Sequence, residues 1–436
     1  MQLEDMIMVS VDDHVVEPPD LFEQHLTPAY KERAPKIVRL PSGCDVWDFN
    51  GQKLPNIGLN AVVGRVPEEY GVEPTSYDQM RPGCYDIHAR IADMNANGVL
   101  ASICFPSFPG FVGQLWAKTE DKKLATVMLQ AYNDWHIDEW CGTYPGRFIP
   151  LALPCLWDQS LMVEEVKRVA RKGCTTISFS ENPDKLGFPS LHDEYWDPLW
   201  QVCADEGMVI CIHIGSGGGM SFPTMDSPVD VMIATTPISI VNLAADLLFS
   251  KILRKHPTLK FALSEGGIGW IPYFLERVDY VYKHHKAWTN QDFGDQLPSE
   301  CFHDHILNCF IDDKAGIAMR DMIGVETISW ECDYPHSDTT WPTAPEILWK
   351  SLDGVSDADI NAMTHENAMR EFRFDFHASR PKEKSTVAAL RAESPDVDMT
   401  PIKKNVGGTA AHEEGDRIVT GGDIMKQLAG AFVERT

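Results

Sequence analysis

The sequence predicts an α/β fold, a closed (β/α)8 (TIM) barrel with a long insertion after its first strand and a C-terminal tail. Three observations carry that prediction. Eight short apolar runs rich in β-branched residues recur between Ile7 and Cys332, stretches with helical periodicity separate them, and Gly follows two of those stretches where a helix must stop. Buried strands that alternate with helices pair in parallel, and eight such units favour closure into a barrel over an open doubly wound sheet.

The runs fall at residues 7–12, 99–105, 148–153, 174–179, 208–213, 259–264, 306–311 and 327–332. Their lengths suit strands buried on both faces. Helical periodicity marks residues 86–97, 124–139, 159–171, 198–206, 238–253 and 271–281, and Gly98 and Gly207 read as stops in the left-handed conformation. Trp196 and Trp200, four residues apart on one helix, read as packing.

Two regions exceed a bare barrel. Residues 15–98, between the first two runs, are too many for one crossover and carry Trp47, Phe49, Tyr70, Tyr77 and Tyr85. As an insertion leaving the catalytic end of strand one they read as a substrate cover, or else as a solvated excursion. The barrel unit is residues 1–374. Residues 375–436 form a tail of charged and small residues with weak core signal and a last periodic stretch at 423–432, expected to wrap a neighbouring subunit or to be partly disordered.

Charge narrows the function. With 38 Lys and Arg against 64 Asp and Glu the chain carries −26, which opposes binding to nucleic acid or to an anionic membrane surface. No stretch is long and apolar enough to span a bilayer, and MQLEDMIMVS lacks the basic start and apolar run of a secretory signal, so a cytoplasmic location is expected. The 11 Cys are odd in number and scattered through apolar runs, the usage of buried thiols rather than of disulfides or a zinc-thiolate site.

Four strand ends carry groups with chemistry. Asp12 and His14 stand at i and i+2 of the first run, on one side of a regular strand, where they form either a two-ligand arm or a hydrogen-bonded strand end. His213 closes an apolar run and needs a partner for its ring, a metal being one. The glycines after it, residues 215–219, lack the Lys-Ser/Thr of a phosphate loop and read as a flexible loop. Asp333 ends the eighth run, as a site carboxylate or a helix cap, and Glu265 follows the sixth. Carboxylate and imidazole without thiolate suit Zn²⁺, Mn²⁺ or Fe²⁺. His303 and His305 lie at the start of the seventh run, the wrong end for a barrel site, and no Gly-x-Ser-x-Gly elbow supplies a serine nucleophile.

Residues 10–22 (SVDDHVVEPPDLF), 196–200 (WDPLW), His213, 264–267 (SEGG), 332–336 (CDYPH) and 367–372 (NAMREF) resemble the amidohydrolase superfamily. The most similar branch includes aminocarboxymuconate-semialdehyde decarboxylase and aromatic-acid decarboxylases, and the resemblance spans roughly residues 8–374. It implies a (β/α)8 barrel with one divalent metal, zinc or manganese, held by Asp12, His14, His213 and Asp333. The arm here is Asp-x-His rather than the His-x-His of many members. Glu265 stands where several members have a catalytic histidine. Dimers are common in the branch, so a homo-oligomer, a dimer, is expected.

The leading expectation is a metal-dependent carbon–carbon lyase, a decarboxylase of an aromatic or unsaturated carboxylic acid. Asp333 would deliver a proton to the carbon bearing the carboxylate. Arg81, Arg90 and His192 are the expected substrate contacts. The alternative is hydrolysis of an amide, ester or lactone at the same site, with Asp333 taking a proton from activated water and Glu265 or His336 assisting the leaving group. A non-catalytic barrel is the third reading, set against the cost of burying several unpaired polar groups.

Overall fold

All eight expected strands are present in the computed structural model, which describes residues 1–55, 57–71, 75–218, 222–404 and 417–428. They are β1 (Val9–Val15), β2 (Ala101–Pro106), β3 (Phe148–Ile149 and Leu151–Ala152), β4 (Thr176–Phe179), β5 (Val209–His213), β6 (Lys260–Ser264), β7 (Ile306–Phe310) and β8 (Ile328–Trp330). Neighbours pair in chain order and in parallel. Pro150, which has no N–H to give the ladder, splits β3, and its carbonyl accepts from Thr176 Oγ1 at 2.7 Å. Closure between β8 and β1 is made by Asp333 N–H to Asp12 O at 3.0 Å and His14 N–H to Tyr334 O at 2.7 Å. The result is the TIM barrel.

Val9, Ile103, Val209, Cys211, Ala262 and Leu307 fill the barrel interior. Around it the helices form largely where periodicity places them. Ile87–Asn97 starts at Asp86, whose carboxylate accepts from Ala89 N–H, and stops at Gly98 with φ +75°. Gly207, at φ +63°, ends Asp197–Glu206 in the same way. The expected helix over 238–253 breaks at Ser250, whose hydroxyl accepts from Ile252 N–H, leaving Ile240–Phe249 and Ile252–Lys255. The helix from Ile271 runs on to Thr289, past the periodic stretch: its buried face ends at Tyr282, the turns after it are largely exposed, and Asn290 at φ +57° ends it. Trp196 and Trp200 pack edge-on against Phe179, as their spacing implies.

β1 departs from simple alternation. Its register against β2 passes from Ser10↔Ser102 to Asp13↔Cys104, so one extra residue is accommodated in β1. In a regular strand with Asp12 turned inward Val11 would face away; it lies instead in the interior cluster with Val9. The bulge lets Val11 and Asp12 both face inward, and alternation then brings His14 to the side of Asp12, at the mouth.

The insertion contributes an antiparallel sheet, Lys36–Arg39, Asp45–Phe49 and Gln52–Leu54. Trp47 stacks on Phe108 in the loop after β2, with ring centroids 4.2 Å apart. The Glu17 carboxylate accepts from Ser107 N–H at 3.0 Å and Phe108 N–H at 2.7 Å, tying the exit of β1 to the same loop. Val63 N–H donates to Pro335 O at 3.0 Å, and Asn60 Nδ2 to Ser337 Oγ at 3.1 Å, so the insertion also abuts the loop after β8.

The tail carries more core than its composition indicates. Phe376, Val387 and Leu390 are fully buried. Val387 N–H bonds Met6 O ahead of β1, and just before the tail Phe372 O accepts from Thr175 Oγ1 ahead of β4, so this segment stops the N-terminal end of its own barrel. Further on, Ile402 N–H bonds Gly64 O, and Gly421–Leu428 adjoins Ser227 through Gly421 N–H. Before the stretch at 423 its apolar residues are too sparse to form a periodic pattern; their partners come from distant segments. Gly219 of the glycine-rich loop and residues 429–432 of the last periodic stretch lie outside the described residues. All 11 cysteines are buried and free. No single helix among the described residues is long and apolar enough to cross a membrane.

If residues beyond 374 belong to the cooperative core, Leu390→Ala destabilises the protein by about 2–5 kcal/mol, as for other fully buried leucines. Denaturant melts check this, and a change under about 0.5 kcal/mol would detach the tail from the core.

Candidate metal centre

The site is assembled from four strand ends, each with its own support. On β1, Asp12 is fully buried and His14 nearly so. Between them Asp13 points the other way and anchors the arm: its carboxylate accepts from Ser10 Oγ at 3.0 Å, Ser102 Oγ at 2.5 Å and Tyr334 N–H at 3.0 Å. Burial pushes Asp13 up to about 6 against the pull of Arg90 and these donors. Behind the arm the Arg90 guanidinium donates to His14 O at 2.5 Å and Gly83 O at 2.6 Å and lies 4.2 Å from the Tyr334 ring.

On β5, His213 Nδ1 is 2.6 Å from Ile214 O. A carbonyl only accepts, so Nδ1 donates to it and Nε2 faces the cluster. Phe111 stacks on this ring at 4.4 Å and 16°. After β6 and β8 the chain turns through left-handed backbone at two non-glycine residues, Glu265 at φ +59° and Asp333 at φ +57°. Both turns throw a carboxylate into the mouth.

The groups meet closely. His213 Nε2 lies 3.1 Å from His14 Nε2, 3.5 Å from Asp12 Oδ2 and 3.0 Å from Glu265 Oε2. His14 Nε2 is 3.3 Å from Asp333 Oδ1 and 3.7 Å from Asp12 Oδ1. His336 Nδ1 is 2.9 Å from Asp333 Oδ1, and its ring lies 3.8 Å from that of His14. Two ligand trios result, Asp12–His14–His213 and His14–Asp333–His336.

These donors fit a divalent metal. Neither oxygen of Asp12 has a hydrogen-bond partner among the described residues, and Asp333 Oδ2 has none. His213 Nε2 faces carboxylate oxygens of Asp12 and Glu265, so nitrogen and oxygen donors converge in a buried space that a cation would balance. Burial, then Glu331, Glu265 and Asp333, hold Asp12 well above the usual carboxylate range. Burial and the neighbouring His336 and His213 rings hold His14 well below its ordinary value, in the neutral form a ligand needs. Imidazole and carboxylate together are a donor set for Zn²⁺, Mn²⁺ or Fe²⁺.

Six of the nine site residues read from the sequence therefore come together: Asp12, His14, His213, Glu265, Asp333 and His336. The structure does not present the other three to the cluster. Arg81 is held by Asp93 through two 2.7 Å bonds, Arg90 is sealed behind β1, and His192 is half-exposed and paired with Asp246 at 2.7 Å. Each was assigned from charge and neighbourhood in the sequence, which do not reveal whether a cation is already neutralised.

Two residues near the centre carried no assignment. Glu331 is fully buried, its Oε2 accepting from Glu265 N–H at 3.2 Å while Oε1 has no partner among the described residues. Burial and then Glu265 raise it well above the carboxylate range, against that backbone bond. Its spacing of two from Asp333 was the available signal. Phe111 had none, lying in a loop whose path is set by packing.

A family model described as amidohydrolase matches residues 23–374. Among solved structures, an amidohydrolase from Mycobacterium avium subsp. paratuberculosis is 21% identical, with a TM-score of 0.62 over 84% of this chain and 99% of that one. A 5-carboxyvanillate decarboxylase from Novosphingobium aromaticivorans, with bound manganese, is 18% identical, with a TM-score of 0.59 over 86% of this chain and 99% of that one. The 2,6-dihydroxybenzoate decarboxylase from Rhizobium is 17% identical, with a TM-score of 0.53 over 84% and 99%. No curated protein matches the sequence. With the family model covering most of the barrel, the chain belongs to the amidohydrolase family.

Proposed function

We propose that this protein is a metal-dependent decarboxylase of a small aromatic or unsaturated carboxylic acid. The observation that carries this reading is the convergence of Asp12, His14, His213 and Asp333 beside an aromatic wall, with Phe111 stacked on His213 and His336 against Asp333. Two similar folds belong to decarboxylases of aromatic acids, and one was solved with manganese, which supports the choice of reaction and cofactor.

Asp12, His14, His213 and Asp333 would hold the metal, which when bound supplies Lewis acidity and a template for the substrate carboxylate. Asp333 Oδ2, buried and without a hydrogen-bond partner among the described residues, is the oxygen that would deliver the proton. Protonation of the ring carbon that bears the carboxylate precedes cleavage of the carbon–carbon bond. The bonding pair then returns to the ring as CO₂ leaves, so no bare aryl anion forms. Asp333 is left as a carboxylate and regains a proton through His336, whose Nδ1 stands 2.9 Å from Oδ1. Burial disfavours the His336 imidazolium, but the charge of Asp333 and its bond outweigh this and raise the pKa, which suits a proton carrier. Phe111 would pack against the flat substrate and keep water from the reacting carbon.

Hydrolysis of a neutral amide, ester or lactone is the second reading. It is favoured by the acidity of the mouth: Glu265 faces the cluster, and Asp338 is pushed up to about 6 by burial and by Asp333 and Glu265. An anionic substrate meets these charges unfavourably.

Elemental mass spectrometry of protein purified without chelator is expected to find close to one zinc or manganese per chain, lost in His213→Ala. A folded wild-type protein that neither carries nor takes up metal would refute the centre. With a panel of aromatic acids, CO₂ release is expected from the wild type, falling by at least about 100-fold in Asp333→Asn, whose volume is unchanged. Carboxylate appearing from lactones or amides, without CO₂ from any acid, would replace decarboxylation with hydrolysis.

A further inference from the structure

We infer that Glu17 is a positioning residue for substrate selection, whose carboxylate clamps the loop after β2 and so stands Phe111 beside the candidate metal centre as a fixed aromatic wall. The inference rests on the reading that Phe111 packs against the substrate, and it adds the residue that sets Phe111 there.

Glu17 is fully buried, and no cation pairs with it among the described residues. A buried carboxylate without a counter-charge is costly, and burial pushes this one up to about 7 against the pull of its backbone donors. Packing alone would be served better by an apolar side chain. What the carboxylate gains is a hold on two successive amides: Oε1 accepts from Ser107 N–H at 3.0 Å and Oε2 from Phe108 N–H at 2.7 Å. A carboxylate offers an acceptor to each of these N–H groups, whereas the amide of Gln turns a donor toward one of them.

The clamp is fixed at its own end. Val16 N–H donates to Cys84 O at 2.9 Å and Tyr77 Oη to Glu17 O at 2.6 Å, while Pro18 disfavours helical backbone at Glu17. On the loop side Ser107 Oγ donates to Val15 O at 2.9 Å, and Phe108 stacks on Trp47. Gly110 N–H bonds Ser107 O and Gly113 N–H bonds Gly110 O, so two successive turns lead from the clamp past Phe111. Beyond the first turn, Ser178 Oγ on β4 donates to Phe111 O at 2.5 Å.

Held from both sides, the Phe111 ring lies stacked 4.4 Å from His213 and edge-on 5.8 Å from His14. It therefore borders the space where a flat acid would meet the metal. None of the hydrogen bonds of Glu17 reaches a candidate ligand, so its effect on the reaction passes through the loop.

The test compares the full chain with Glu17→Gln, Phe111→Leu and the double variant. It reads amide hydrogen exchange by mass spectrometry, metal content, and steady-state kinetics on the aromatic acid that releases CO₂ fastest. In Glu17→Gln, exchange across residues 107–112 is expected to quicken by at least about tenfold and KM to rise by about fivefold or more, with kcat within about twofold and metal content unchanged. Phe111→Leu is expected to raise KM similarly, and Glu17→Gln to add less than about twofold in that background, because both changes remove the same wall. Wild-type exchange in Glu17→Gln, or an effect on KM that multiplies in full with that of Phe111→Leu, overturns the proposal. Should Glu17→Gln fail to fold, Glu17→Asp keeps the charge but shortens the reach, and is read by the same criteria. A wild-type chain that releases CO₂ from no acid removes the decarboxylase reading; the exchange result then decides the clamp, and unchanged exchange overturns it.

Discussion

The hydrogen bond from Asp333 N–H to the Asp12 carbonyl is where fold and site depend on one another. It closes the barrel between its last and first strands, and it joins residues far apart in the chain. Because β8 stops at Trp330, the residues after it are free to turn inward, and the closure bond sets Asp333 beside the bulged arm of β1. The same contact that completes the sheet therefore completes the candidate ligand set. Its neighbours reinforce it: Cys332 N–H bonds Ser10 Oγ, and Tyr334 N–H bonds the Asp13 carboxylate.

The site is built against its own electrostatics. A chain of net charge −26 gathers carboxylates into a buried mouth where burial and mutual repulsion raise Asp12 and Glu331 well above their usual range. In a low dielectric such an arrangement is costly unless a cation compensates it. The protein's own cations do not serve. Arg90 is spent on the carbonyls of His14 and Gly83, and Arg81 on Asp93, so both brace the structure around the arm. A divalent cation would supply the positive charge that these two arginines do not, which is the physical reason that a metal centre suits this fold.

Rigidity comes from residues one layer behind. Asp13 receives three hydrogen bonds and fixes the bulge, Ile214 sets the tautomer of His213, and Glu331 holds the turn at Glu265. The insertion and the tail extend this layer. Glu17 and the Trp47–Phe108 stack fasten the loop after β2 that carries Phe111, while Phe376, Val387 and Leu390 stop the opposite end of the barrel. The candidate site thus sits at one end of a core closed at the other.

The sequence by itself determined the order of eight buried strands, the helices between them and the four strand ends that bear Asp12, His14, His213, Glu265 and Asp333. Those features are local: apolar runs, helical periodicity and capping glycines act within a few residues, and a polar group closing an apolar strand is visible without its partner. Tertiary structure decided the rest. The bulge that re-aims β1 is a matter of register against β2, and the pairing of Arg81 with Asp93 or of Arg90 with two carbonyls is a matter of distant neighbours. Likewise Glu331 reads as one more acid in a segment rich in them until β6 brings Glu265 N–H to its carboxylate, and Leu390 reads as tail until the barrel end covers it. A residue's type and spacing show what chemistry it offers; only the fold shows whether that chemistry is already spent on a neighbour.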